Sequence, residues 1–183
     1  AIDCGTDRTA RELGFRSGTI AGSIHMEQFV PLCEYAFGRD WSRTGSLSLY
    51  FLNPSIDGEP VEALIGSSET VVGKCRRRDA VMKSAAGTRI LEGSASASSF
   101  DTASAVRERL RQRKAVSTAG PRILANVPES FSATGLLTSV PQADINARLS
   151  IITEQRPEFT DATIFGHTVA PISAAIHAMR VFE

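Results

Sequence analysis

The feature that most constrains the fold is a long apolar helix followed directly by a run of strands. Residues 23–37 carry apolar side chains at spacings of three and four, which predicts one buried helical face. That face consists of Met26, Phe29, Val30, Cys33 and Phe37. Proline removes a backbone hydrogen bond inside a helix, so Pro31 predicts either a kink or a regular helix that begins only there.

After this helix the hydrophobic period changes to that of β-strands. Four segments rich in strand-forming residues are separated by turn signals such as Asn53-Pro54 and Asp57-Gly58. The predicted strands are residues 46–52, 61–65, 70–75 and 88–97. A helix followed by several antiparallel strands indicates an α+β fold.

Outside this region the patterns are shorter. A capped helix is predicted at residues 9–13, ending at Gly14, and a charged helix is predicted from Asp101 to about Lys114. Residues 115–142 are rich in Gly, Pro, Ser and Thr, which is typical of a linker. Further elements are predicted as a strand at 146–153 and an amphipathic helix at 170–182 with Ile172, Ala175, Ile176 and Met179 on one stripe.

Composition excludes several classes of protein. The 183 residues contain 20 basic and 20 acidic side chains, and a net charge of zero argues against nucleic-acid binding. No apolar run approaches the roughly 18 residues of a membrane span, and no secretory leader is visible, so a cytoplasmic protein is expected. The three cysteines are widely spaced and form neither a disulfide framework nor a metal site, so no metal is expected.

Residues 4–98 resemble the MaoC-like hydratases and dehydratases of the hotdog superfamily, in which a curled antiparallel sheet wraps a central helix. The residues that carry the resemblance are Ala10-Arg11-Glu12-Leu13-Gly14-Phe15, Thr19-Ile20-Ala21-Gly22, Leu49-Tyr50-Phe51-Leu52-Asn53-Pro54, Asp57-Gly58-Glu59-Pro60-Val61 and Glu92-Gly93-Ser94-Ala95. The resemblance implies a hotdog domain at 1–98. It leaves 99–183 as a C-terminal extension or as a degenerate second half of a partial double hotdog, because Phe165-Gly166-His167 and Thr168-Val169-Ala170-Pro171 echo hotdog segments.

The function implied by the resemblance is an enoyl-acyl thioester hydratase or dehydratase. Its substrate would be an acyl-CoA or an acyl-carrier-protein thioester, and coenzyme A would take part only as a piece of the substrate, with no other cofactor. A homodimer or higher homo-oligomer is expected because sheet edges need to be covered. Family hydratases carry an Asp and a His five residues apart, but here the His position falls on Cys4 and the Asp position would precede Ala1.

Two alternatives therefore stay open: a hotdog acyl-CoA thioesterase, and a non-catalytic acyl-thioester binding subunit. Glu27 is the first candidate acid or base, because Gly22 and Glu27 resemble the Gly and Glu of the β-hydroxyacyl-carrier-protein dehydratases. His25 is the second candidate, since imidazole titrates in the useful pH range. About 200° separates these two side chains on a helix, so they cannot face each other. Cys4 is a third candidate, as a nucleophile.

Two groups of residues are candidates for substrate binding. Gly22, Ser23 and Ile24 begin the long helix, where backbone N–H groups would polarise the thioester carbonyl; the alternative is that Gly22 only allows close packing. Arg76 and Arg77, within Arg76-Arg77-Arg78, and the basic residues at 107–114 would bind coenzyme A phosphates. The alternative for these is a solvated strand end and a solvated helix face.

Overall fold

The computed structural model describes residues 7–12, 14, 18–112, 139–153 and 155–178. The helices in this part of the chain are α1 Asp7–Glu12, α2 Gly22–Glu27, α3 Val30–Phe37, α4 Trp41–Thr44, α5 Ala105–Gln112, α6 Gln142–Leu149 and α7 Ile172–Ala178, with a 3-10 turn at Pro157–Phe159. The strands are β1 Ser46–Phe51, β2 Val61–Ile65, β3 Thr70–Val72, β4 Cys75–Ser84 and β5 Arg89–Ala97. The predicted α+β class is confirmed.

The five strands form one antiparallel sheet in the order β1-β5-β4-β2, and β3 pairs with the first residues of β4. Strands β1 and β5 approach closely where Leu49 pairs with Gly93. A Cβ atom at position 93 would lie 2.0 Å from the carbonyl oxygen of Ser48. Only glycine fits this position, which fixes the register of the two strands.

The long predicted helix is two helices, α2 and α3, separated at Gln28 and Phe29. Pro31 lies in the first turn of α3, where its missing N–H has no partner to lose. Of the two alternatives for Pro31, the regular helix that begins beside it is the one observed, and a separate short helix precedes it.

The core lies between one face of the sheet and α3 with the residues beside it. Phe29, Cys33 and Trp41 pack against Ala80, Met82 and Leu91, and of these only Trp41 has measurable exposure. The Trp41 indole N–H also donates to the carbonyl oxygen of Ser96 at 3.0 Å. Each fully buried large apolar side chain contributes about 1.5–3 kcal/mol, so this layer is the main stabilising contact between α3 and the sheet, whereas α2 packs on α7.

One strand prediction is confirmed only in part, and another is wrong. The predicted strand at 70–75 ends at Val72, and the longest strand, β4, begins at Cys75 and runs through the three arginines. Half of the predicted strand at 146–153 lies in the helix α6, which starts directly after Pro141, and none of it is a strand. The predicted charged helix begins at Ala105 rather than at Asp101, whose carboxylate accepts the backbone N–H of Ala103 at 3.0 Å in the preceding turn.

The predicted C-terminal helix is confirmed over Ile172–Ala178, and the residues from 179 onward lie outside the described part. Its most buried side chains are Ser173, Ala174 and Ala178. Of the predicted stripe, Ile172 packs against the core, Ala175 and Ile176 are half-buried, and Met179 lies outside the described part. Residues 139–153 and 155–178 contain only helical elements, and they pack on the helices rather than extend the sheet. The linker prediction at 115–142 falls largely outside the described residues.

One edge of the sheet is formed by β2 and β3. It exposes three apolar side chains, those of Leu64, Val71 and Val72. The homodimer expected from uncovered sheet edges stays a prediction. In the described part of the chain no helix is both long enough and apolar enough to cross a bilayer.

Candidate functional site

A partly open cleft of about 530 Å³ lies where the chain enters α2. It runs between the start of α2 and the segment that follows β1. The residues that line it are Thr19, Ile20, Gly22, Ser23, His25, Met26, Phe51, Leu52, Asn53, Pro54, Ser55 and Ile176. Among these lining residues His25 is the single ionisable side chain, so the cleft offers one proton-transfer group in mostly apolar surroundings.

His25 is paired with a serine that is distant in sequence. Its Nε2 lies 2.5 Å from Oγ of Ser55, and the two residues are 4% and 2% exposed. The backbone holds the serine in place, because Ile20 N–H donates to the Ser55 carbonyl at 3.0 Å and Thr19 forms a β-bridge with Ile56. Backbone contacts with the segment before α2 therefore hold the loop that carries Ser55 beside α2.

Burial lowers the pKa of His25 from its ordinary value of 6.5, and the nearby side chain of Gln28 opposes this shift in part. The second ring nitrogen, Nδ1, is buried and has no partner with hydrogen-bond geometry among the described residues. Burial therefore favours the neutral form of His25, which can accept a proton.

Gly22 and Ser23 both line the cleft, whereas Ile24 lies outside it and is 36% exposed. No acceptor in the described ranges takes the backbone N–H of Gly22 or of Ser23. The ring of Phe51 lies directly on Gly22, since a Cβ there would come 2.5 Å from Cζ of that ring. Gly22 thus allows close packing, and its N–H remains available beside the cleft.

Glu27 does not line the cleft. Its Oε1 accepts both the backbone N–H of Ser173, at 2.8 Å, and the Ser173 hydroxyl. Ser173 is 3% exposed and lies in the first turn of α7. Glu27 therefore caps the C-terminal helix, as a carboxylate at a helix N-terminus does, and it faces away from His25, as their spacing predicts.

Arg76 and Arg77 lie at the opposite end of the sheet from the cleft. Arg77 pairs with Ser96, whereas the cleft residue Phe51 lies in register with Leu91 and Met82. Five residues along a strand correspond to about 17 Å. The structure therefore does not bring the two arginines to His25.

Both arginines also have partners of their own. Arg76 donates two hydrogen bonds of 3.0 Å to the carboxylate of Glu69 and lies over the ring of Phe37. Arg77 forms an ion pair of 3.3 Å with the buried carboxylate of Asp101. These contacts give the cluster a structural role in ion pairs, rather than that of the solvated strand end offered as the alternative.

The other sequence candidates lie elsewhere. His167 is exposed, and Cys4 lies outside the described residues. In α5, Arg109 stacks on the ring of Tyr50 at 4.3 Å and Arg111 pairs with Glu108. Within the described ranges, no group of three His, Cys, Asp or Glu side chains is placed to hold a metal ion.

Sequence reasoning missed Ser55. The residue directly follows Asn53-Pro54, so the turn signal marked its position but gave no indication of its partner. No protein-family model, no curated protein and no solved structure matches this chain. The case for a function therefore depends on the geometry of the cleft.

Proposed function

We propose that this chain is an acyl-thioester enzyme of the hydratase or dehydratase type, with a hotdog fold and with His25 as the proton-transfer group. The observation that carries the proposal is the buried His25–Ser55 pair in an otherwise uncharged cleft. The fold is supported by the packing of α3 on one face of an antiparallel sheet. The substrate would be an enoyl thioester of coenzyme A or of a carrier protein, and the reaction needs no further cofactor.

A neutral imidazole in a cleft of this kind can perform both proton transfers of hydration. Water adds its oxygen to Cβ of the enoyl group while its proton passes to Nε2 of His25, directly or through the hydroxyl of Ser55. The electron pair of the double bond moves to the thioester oxygen as an enolate. The imidazolium then returns the proton to Cα, which completes the addition and restores neutral His25.

The enolate oxygen needs hydrogen-bond donors during this reaction. The backbone N–H groups of Gly22 and Ser23 border the same cleft and have no acceptor in the described part of the chain. Donors that are in place before the reaction stabilise developing negative charge without reorganisation. Glu27 has no role in this mechanism, because its carboxylate caps α7 instead.

A second candidate function is thioester hydrolysis. It is favoured by the 2.5 Å contact itself, because a serine hydroxyl bonded to a neutral histidine is the usual pairing of a nucleophile with its base. Ser55 Oγ would attack the thioester carbonyl, His25 would take the hydroxyl proton and pass it to the leaving thiolate, and water would then hydrolyse the acyl-serine. In this version the base is His25 rather than Glu27.

The experiment is an assay of the purified chain with crotonyl-CoA and with saturated acyl-CoA esters, following enoyl absorbance and free thiol together. We expect enoyl absorbance to fall without thiol release. His25→Gln should lower kcat by at least about 100-fold, the usual contribution of a general acid–base. The matched control is His167→Gln, which changes an exposed histidine outside the cleft and should leave the rate unchanged.

Ser55→Ala separates the two candidates. It should slow hydration by only about five- to tenfold, the value of one hydrogen bond, but abolish hydrolysis. Thiol release that disappears in Ser55→Ala would move the conclusion to a thioesterase. Acyl-CoA binding with neither reaction, in a folded protein, would make the chain a binding subunit.

A further inference from the structure

The cleft receives one of its walls from the C-terminal part of the chain. Ile176, in α7, is the single lining residue beyond position 55 in the described ranges. It is half-buried, and the other large apolar side chains of the cleft are those of Ile20, Met26, Phe51 and Leu52. The C-terminal segment therefore supplies part of the surface that a bound acyl chain would contact.

The position of Ile176 is fixed by polar contacts at one end of α7. Glu27 holds Ser173 through both its backbone N–H and its hydroxyl. Residues three apart lie on the same side of a helix, so the contact that turns Ser173 toward α2 also turns Ile176 toward the cleft. Ala174 and Ala178, which are 0% and 6% exposed, belong to the packed side of α7 as well.

A second polar contact anchors the segment that precedes α7. Arg156 pairs with Glu34 of α3 and also bonds Glu158 at 2.8 Å. The Arg156 and Glu158 side chains are 17% and 7% exposed. Two partly buried polar contacts thus fix the C-terminal segment to α2 and α3.

We infer that Ile176 is a specificity-determining residue which sets the length of the apolar chain that the cleft accepts. This inference rests on the proposed function for the identity of the ligand, a straight acyl chain, and it adds the residue that limits that ligand. A β-branched side chain held by a seated helix cannot easily move aside, because packed interiors resist added volume. Chains that extend beyond Ile176 should therefore bind more weakly than chains that end before it.

The test is direct binding of two ligand series to the full chain: free fatty acids and saturated acyl-CoA esters, each with 4 to about 16 carbons. For the unchanged chain, affinity should rise about fourfold per methylene group until the cleft is filled and then fall. Ile176→Ala removes three carbon atoms and should move the optimum about two to three methylene groups upward. Ile176→Phe should move the optimum downward in both series.

The matched control is Ile151→Ala, which truncates a 61% exposed isoleucine in the same C-terminal part. It should leave the optimum unchanged. An unchanged optimum in both Ile176 variants, with binding intact, would overturn the inference while leaving the proposed function in place. A shifted optimum without any turnover of enoyl-CoA would support the inference and contradict the enzyme. The absence of binding for every ligand of both series would overturn both.

Discussion

The capping of α7 by Glu27 gives the sharpest prediction about stability. Glu27→Ala removes the acceptor of two hydrogen bonds and leaves the Ser173 N–H and hydroxyl unsatisfied in a site that is 3% exposed. A hydrogen bond to a charged group is worth about 1.5–3 kcal/mol, and Glu27 itself is partly solvated. We therefore expect the free energy of unfolding to fall by about 2–3 kcal/mol.

For a domain of this size that loss corresponds to a decrease in Tm of roughly 5–10 °C. The measurement is thermal and urea unfolding followed by circular dichroism. Glu27→Gln keeps an acceptor oxygen but loses the charge, so it should cost only about 1 kcal/mol. The control, Glu62→Ala, changes an exposed glutamate on β2 and should stay within about 0.5 kcal/mol of the unchanged chain. A Glu27→Ala variant as stable as that control would refute the capping argument.

Three further predictions follow from other contacts. Burial lowers the pKa of His25, so the unfolded chain binds a proton at this residue more tightly than the folded chain does. The free energy of unfolding should therefore fall as the pH drops below about 6.5. Urea unfolding between pH 5 and 7 should show that His25→Gln lacks this contribution to the pH dependence of stability. Gly22→Ala should displace the ring of Phe51 and cost about 1–2 kcal/mol, and a double-mutant cycle with Phe51→Ala should recover most of that loss, whereas purely additive losses would contradict the contact. Arg156→Ala leaves two mostly buried carboxylates without their counter-charge, and it should lower the free energy of unfolding in urea by about 3–5 kcal/mol. A loss below about 1 kcal/mol would show that the ion pairs are solvated.

The sequence predicted most of the elements that have a clear hydrophobic period. Residues 61–65 match β2 exactly in their bounds, and β1, β5 and α7 lie within their predicted segments. The helix interruption was also predicted, because proline has a strict geometric effect. These are local properties, and each can be read within a window of about ten residues.

The sequence failed at two places where composition was misleading. The start of β4 carries three consecutive arginines, a pattern typical of a solvated strand end, yet Glu69 neutralises Arg76 and Arg78 from the neighbouring turn. The isoleucines at 151 and 152 indicated a strand, but Pro141 starts a helix just upstream, and a Gln142–Asn146 hydrogen bond of 3.0 Å supports its first turns. Tertiary contacts and helix-start signals outweighed composition in both places.

In the candidate site, sequence reasoning found the residues that carry a local signal and missed the contacts whose partner is distant in the sequence. His25 and Gly22 were found because histidine and glycine are informative residue types at the start of an apolar helix. Ser55 was missed because a serine after a turn is unremarkable until its partner, 30 positions earlier, is known. Glu27 was assigned a catalytic role because no local signal indicates that Ser173, 146 positions later, occupies its carboxylate.

The central claim is that a neutral His25 meets an acyl thioester in this cleft, and its most direct test is the imidazole NMR spectrum during a titration with crotonyl-CoA. The chain has three histidines, so His25→Gln assigns the relevant signal. The account predicts that the His25 signal shifts saturably with crotonyl-CoA, while those of the exposed His167 and His177 stay in place. A His25 signal that titrates with the ordinary pKa of an exposed histidine, or that ignores crotonyl-CoA at concentrations where other resonances saturate, would contradict it.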